Sequence, residues 1–320
     1  MIVHNIKIME GKLSRREFIK TAAGIAATVG LIPNLQSSNA EEVKPDLAVV
    51  KSVSPESATI SAIEAIGGIG AFVKSGDTVV IKPNMAFPNP PEWGSTTNPE
   101  VVIAVVKLCL DAGARSIFVI DHPMARPEQC LQRTGIAEAC QKLNSNKVKV
   151  SMQAEQRDYA EVKLEKAKIL EKTEIVKLLL RTNVFINMPV AKSHSATSVS
   201  FGMKNHMGLI WDRTFLHQKI DLNQGIADLC TFIKPTIVVM DCTRALTTKG
   251  PEGPGITIKP ETIIAGTDQV AVDSYTLSLS SWNNRSLLPS DVRHIALAGE
   301  MQVGEMNLGK LSINKSEILH

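Results

Sequence analysis

The feature that most constrains this chain is an alternation. From Pro45 onward, short apolar runs rich in β-branched residues are separated by longer stretches with helical periodicity. The strand candidates are Leu47–Val50, Thr78–Ile81, Ile117–Ile120, Val148–Val150, Val184–Ile186, Thr236–Met240 and Thr262–Ala265. The clearest helix is Pro99–Ala112, where Asn98 is placed to cap, Pro99 opens the first turn, Glu100 faces the positive end of the dipole and Gly113 stops it. Further helical patterns cover Glu56–Val73, Glu128–Leu143, Lys166–Leu180, Leu222–Ile233, Gln269–Ser280 and Ser290–Ala298. Such an order predicts an α/β fold: a mostly parallel sheet with helices on both faces, in one domain over residues 41–320. The charged stretch Lys147–Lys177 differs in composition and reads as a solvated helix, or alternatively as a second lobe or an excursion from the domain.

What the apolar runs share is how they end. Thr78–Ile81 leads into Lys82, Pro83 and Asn84, Ile117–Ile120 into Asp121 and His122, and Thr236–Met240 into Asp241. Thr262–Ala265 leads into Thr267 and Asp268, and Val184–Ile186 into Asn187, Lys192 and His194. In a parallel sheet these ends share one edge, and open α/β folds bind ligands at that carboxyl edge. A second polar burst, Lys204-Asn205-His206, follows and is closed by Gly208.

Lys82, Lys192 and Lys204 suit a small oxyanion, because fixed ammonium groups favour negative charge in a partly dry cleft. Lys192, His194, Lys204 and His206 are the catalytic candidates, the lysines as oxyanion stabilisers and the histidines as general acid/base. Lys82, Asn84, Asn187 and Asn205 are the substrate-binding candidates. Asp121, Asp241 and Asp268, with His194 and His206, alternatively offer mixed O and N ligands to a divalent metal. Several of these residues have plainer readings: Asp268 as an N-cap for the helix after it, Asp121 and Asp241 as turn caps, and His122, His217 and His294 as turn or surface residues.

Motifs that would name a cofactor are missing. There is no G-x-G-x-x-G after the first strand, no G-K-S/T after the loop Gly250-Pro-Glu-Gly-Pro-Gly255, and no G-x-S-x-G. The five cysteines, Cys109, Cys130, Cys140, Cys230 and Cys242, form no C-x-x-C pair, so no cysteine-ligated iron–sulfur cluster is expected. An oxidising compartment would allow a disulfide, Cys130 with Cys140 being one pairing.

The formal charge of +3 comes from the amino-terminal 40 residues, where five basic residues face two acidic ones. The remainder is neutral, and aromatic residues make up 4%, which argues against nucleic-acid binding and base stacking. Ser14-Arg15-Arg16-Glu17-Phe18-Ile19-Lys20 resembles the twin-arginine export motif. The apolar stretch Thr21–Ile32 after it is too short to span a bilayer, and Ser38-Asn39-Ala40 supplies the small residues of a cleavage site. Residues 1–40 are therefore expected to be a signal peptide read by the twin-arginine export machinery. The product is expected to be a soluble protein, periplasmic or otherwise exported, with no membrane anchor.

Asn187-Met-Pro-Val-Ala-Lys192-Ser-His194 and Ser200-Phe-Gly-Met-Lys204-Asn205-His206-Met-Gly208 together resemble the signature of the domain-of-unknown-function 362 family. Lys82-Pro83-Asn84, Thr97-Asn-Pro-Glu100, Asp241, Gly250-Pro251 and Thr267-Asp268-Gln-Val-Ala-Val-Asp273 extend the resemblance over about Asp46 to Gly299. Some members carry an added cysteine-rich ferredoxin module, which implies a redox component working with an iron–sulfur partner. The residues themselves favour an enzyme acting on a small anionic substrate, with a non-catalytic binding protein for a small anion or metal as the alternative.

Overall fold

Alternate residues of each apolar run face opposite ways, and two cores result. The structure, a computed structural model, describes residues 44–319. The residues read as a signal peptide lie outside that range. Its strands are β1 (Leu47–Lys51), β2 (Thr78–Pro83), β3 (Ser116–Asp121), β4 (Val148–Met152), β5 (Tyr159–Lys163), β6 (Lys172–Val176) and β7 (Val184–Met188). They continue as β8 (Val190–His194), β9 (Ser198–Ser200), β10 (Ile237–Leu246), β11 (Thr257–Ile258), β12 (Thr262–Gly266) and β13 (Ile313–Glu317). The helices are α1 (Pro55–Ala65), α2 (Ile69–Phe72), α3 (Pro99–Asp111), α4 (Pro127–Arg133), α5 (Ile136–Gln141) and α6 (Lys177–Leu180). After them come α7 (Gly202–Asn205), α8 (Arg213–Gln218), α9 (Leu222–Phe232), α10 (Gln269–Thr276) and α11 (Arg293–Glu300).

The main sheet runs β13-β1-β12-β10-β7-β2-β3-β4. β4, β3, β2, β7 and β10 are parallel neighbours, as are β13 and β1. β12 alone on this path runs against its neighbours β1 and β10. Val184 and Ile186 of β7, with Ile237 and Val239 of β10, bury against α1 and α3 on one face. Phe185, Val238 and Met240 bury on the other face with α9, α10 and α11. Each fully buried aliphatic side chain contributes roughly 1.5–3 kcal/mol, so this two-sided burial explains why the runs are almost continuously apolar.

α3 forms as expected: the Asn98 side chain accepts from the Glu100 N–H at 3.1 Å, and Pro99 occupies the first position. The helix expected over Lys166–Leu180 does not form. Lys172-Thr-Glu-Ile-Val176 instead pairs antiparallel with β5 as a two-stranded excursion, and only Lys177–Leu180 is helical. The excursion is tied down by Asp228 of α9, whose carboxylate accepts from the backbone N–H groups of Lys168, Ile169 and Leu170. Two other long helical patterns are interrupted where glycine takes a positive φ, at Gly67-Gly68 and at Gly135.

Candidate functional site

The carboxyl edge of the parallel strands carries a lysine with every donor engaged. Lys82, the fifth residue of β2, turns its side chain inward. Its ammonium meets Asp121 Oδ1 at 2.8 Å, Asn205 Oδ1 at 2.9 Å and the Pro83 carbonyl at 2.8 Å. Asp121 closes β3 and also accepts from the Met85 and His122 N–H groups, both at 2.8 Å. Burial lowers the lysine's pKa, and the adjacent carboxylate opposes that. Gly208 lies against this pair: a Cβ there would collide with Asp121 Oδ1 and the end of Lys82. The pair is the floor of a cleft.

The next wall comes from β7 to β9. Pro189, which lacks an N–H, separates β7 from β8, and β8 then pairs with the far half of β10 and with β9. Lys192 and His194 are two apart in an extended strand, so both side chains leave the same face. Both line the cleft, beside Ser200. Lys192 Nζ donates to the Ser95 carbonyl at 2.6 Å and to Asn84 Oδ1 at 3.2 Å, and lies 4.9 Å from the centre of the Phe87 ring. His194 Nδ1 accepts the Ala196 N–H at 3.0 Å, which leaves the proton of a neutral imidazole on Nε2. Burial and the neighbouring Lys204 and Lys192 hold its pKa down at about 2, so it stays a neutral N–H donor.

Lys204 arrives from α7, whose first two N–H groups, on Gly202 and Met203, are capped by the Asp273 carboxylate at 2.8 and 2.9 Å. A Cβ on Gly202 would press on that carboxylate, which explains the glycine. The Lys204 side chain is almost fully buried, yet among the described residues its one hydrogen-bond acceptor is the thioether of Met207 at 3.3 Å. That is a weak acceptor for an ammonium. Arg213, in the first turn of α8, completes the cationic side. It donates to the carbonyls of His122 and Pro123 at 3.2 and 2.7 Å, and Asp212 caps its helix.

The electrostatic result is lopsided. Lys82, Lys192, Lys204 and Arg213 line one cavity of about 100 Å³, against the single carboxylate of Asp121. Desolvation brings Lys192 down from 10.5 to about 7, with Lys82 and Lys204 adding repulsion. Desolvation, then Arg213, brings Lys204 to about 7 as well. Near neutrality both amines are therefore half protonated. An oxyanion bound between them would favour the charged forms.

The remaining candidates are engaged chiefly by the protein itself. Asn187 and Asn205 are buried braces: Asn205 Nδ2 donates to Asn187 Oδ1 at 2.8 Å and to the Lys82 carbonyl at 3.2 Å, and Asn187 Nδ2 donates to the Gly202 carbonyl at 2.9 Å. Asn205 still reaches the cavity wall, as does Asn84. His206 does not line the cavity. Its Nε2 pairs with Gln269 Oε1 at 2.5 Å, its ring lies against Phe185, and burial lowers its pKa to about 4. Lys204 and His206 lie two apart on a helical path, which turns their side chains some 200° apart.

The three aspartates are not brought together. Asp241 is buried against the Asn98 N–H at 2.7 Å and the Thr243 hydroxyl at 2.7 Å, fastening the start of α3 to β10. Asp268 follows the reversed strand β12 and so leaves at the opposite edge, where it caps α10 and accepts from the Glu305 N–H at 2.7 Å. Among the described residues no three His, Cys, Asp or Glu side chains are grouped as a metal would need. His294, expected on the surface, is fully buried, whereas His217 is exposed and lines the cavity mouth. The five cysteines are unpaired, and Cys130 donates to the Ala86 carbonyl at 3.1 Å instead of bridging to Cys140.

Sequence reading missed Arg213 and Phe87 as cleft residues. Arg213 had one local signal: it follows a capping aspartate just after the Lys204-Asn205-His206 burst. Phe87 had none, because its position depends on the path of the loop between Asn84 and Ser95.

Comparison with known proteins places the cleft inside a recognised sequence family. The family described as "Domain of unknown function (DUF362)" matches residues 79–278, which include all of its lining residues. A thylakoid-associated protein of Synechocystis sp. is 26% identical over 197 residues, an alignment spanning 59% of this chain and 59% of that relative's length. Among solved structures, the lactate racemase apoprotein from Thermoanaerobacterium thermosaccharolyticum superposes with a TM-score of 0.39 at 15% identity, over 62% of this chain and 51% of that one. A structural-genomics crystal structure of a Thermotoga maritima protein gives 0.36 at 14% identity, over 63% and 54%.

Proposed function

This chain belongs to the family of domain of unknown function 362 (DUF362), and on that premise we propose that it is an enzyme acting on a small anionic substrate. The observation that carries the reading is the pair Lys192 and Lys204. Both are buried in one cavity beside Arg213, and both titrate near pH 7. A lysine needed only as a fixed positive charge does best at its ordinary pKa. One poised near neutrality can also take or give a proton. Arg213 and the charged fraction of the two lysines would hold the oxyanion, and His194 would add a neutral Nε2–H donor. A lysine amine, not histidine, would then be the acid/base group. The non-catalytic binding protein remains the second reading, since the same cations would capture an anion without chemistry.

Export through the twin-arginine route is part of the proposal. Its support is the motif at Ser14–Lys20 and the small residues ending at Ala40. Among the described residues, no helix is long and apolar enough to cross a membrane.

The proposal is tested by acetylating the protein with trace acetic anhydride at pH 7 and mapping the modified lysines by mass spectrometry. An amine with a pKa of about 7 is half neutral there, about a thousandfold more than an ordinary lysine. Lys192 and Lys204 should be modified ahead of the surface lysines, and inorganic phosphate should protect them. Labelling that follows surface exposure alone would refute a pair poised for proton transfer.

A further inference from the structure

The cavity has a second character besides its charge. Beside the cations part of its wall is apolar: Ala86, Phe87, Met124, Met207 and Pro251. Met207 and Ala86 are buried, and Met124, at the mouth, keeps 55% of its surface exposed. Two of these side chains already serve the cations, the Phe87 ring beside Lys192 at 4.9 Å and the Met207 sulfur accepting from Lys204 at 3.3 Å. A symmetric oxyanion such as phosphate carries lone pairs on every side. Any oxygen turned to this wall would lose its hydrogen bonds to water and gain none.

Size limits what can be enclosed. A cavity of about 150 Å³ takes one benzene, six non-hydrogen atoms, so about 100 Å³ encloses a charged head group and little more. Any further chain must run toward the mouth, where Met124 is exposed, and a nucleotide exceeds the space. We infer that the cleft takes an organic oxyanion with a short aliphatic body, its charged head on Lys192, Lys204 and Arg213 and its chain along Phe87, Met124 and Pro251. The inference rests on the oxyanion reading above and narrows it to a substrate class. It makes the apolar wall, not the cations, the source of discrimination among anions.

The test is titration calorimetry of the full chain at pH 7 with two graded series, inorganic phosphate against n-butyl phosphate and acetate against hexanoate, with adenosine monophosphate as the oversized anion. Burying three or so methylene groups should make the alkylated member of at least one series about tenfold tighter or better than its bare head group. Met124→Ser, a change at an exposed position that should leave folding intact, and Phe87→Ala should each shrink that ratio toward one. Adenosine monophosphate should bind more weakly than butyl phosphate. A native ratio at or below one, or a preference for the nucleotide, overturns the inference while leaving the oxyanion site standing. If no anion of either series binds, the oxyanion reading falls and this inference falls with it.

Discussion

Replacing Lys204 by Met should stabilise the protein while disabling the cleft. The substitution keeps an unbranched side chain in place and removes an ammonium whose one acceptor is the Met207 sulfur. An unfolded lysine holds its proton up to about 10.5, and Lys204 in the folded chain gives it up at about 7. That interval corresponds to roughly 5 kcal/mol, the most that charging Lys204 can cost the fold. Between the two values the unfolded chain binds the extra proton, so native stability rises with pH across that window and is lowest below 7. The benefit of Lys204→Met is therefore greatest at pH 6 and fades toward pH 10. Exchanging buried charges for apolar groups has given gains of about 1–4 kcal/mol, and we expect that range at pH 6. Each kcal/mol moves the melting temperature by about 2–4 °C for a domain of this size. Lys82→Met supplies the contrast: it leaves Asp121 buried without its cation and should cost about 3–5 kcal/mol. Melts of the native protein and both variants at pH 6 and pH 9.5 decide the matter. If Lys204→Met melts below the parent at both pH values, Lys204 is a structural residue and the reasoning is wrong.

Three further outcomes follow. Gly208→Ala should lower stability by several kcal/mol, about as much as breaking the Lys82–Asp121 pair, because its Cβ would enter the space of both groups; a melt within about 0.5 kcal/mol of the parent would show that the floor yields freely. His206→Gln should lower the melting temperature yet leave butyl phosphate affinity within about twofold, since His206 faces Gln269 and Phe185 and not the cavity; loss of affinity in a well-folded variant would return it to the site. Lys at both Arg15 and Arg16 should leave the chain in the cytoplasm with residues 1–40 attached, as judged by fractionation and intact mass. Normal export of that double variant would remove the twin-arginine assignment.

Much of this architecture is legible in the sequence because burial on both faces of a sheet leaves a strong apolar signature. Val184–Ile186 and Ile237–Met240 could hardly be anything but buried strands. Direction is another matter. Thr262-Ile-Ile-Ala-Gly266 reads the same whether parallel or antiparallel, and its reversal carries Asp268 to the far edge. Lys172–Val176 was misread because its lysine and glutamate fit a solvated helix as well as an edge hairpin, and the pairing with Tyr159–Lys163 is a tertiary fact. In the cleft, spacing succeeds where the backbone state is known. Two residues apart in a strand brings Lys192 and His194 to one side, while two apart on a helical turn sends Lys204 and His206 to different sides. The tautomer of His194 was not legible at all, because it depends on the turn that presents the Ala196 N–H.

The central claim is that Lys192 and Lys204 form an anion site short of protons. The most direct measurement is calorimetry of butyl phosphate or hexanoate, whichever binds tighter, at pH 8 in two buffers of different ionisation enthalpy. With both amines near a pKa of 7 in the free protein, each is about nine-tenths neutral at pH 8, so an anion that restores their charge must draw protons from the buffer. The account predicts uptake of about one to two protons per anion bound, and loss of both uptake and binding in the double variant Lys192→Met, Lys204→Met. Binding with no proton uptake, or binding that survives the double variant, would contradict it.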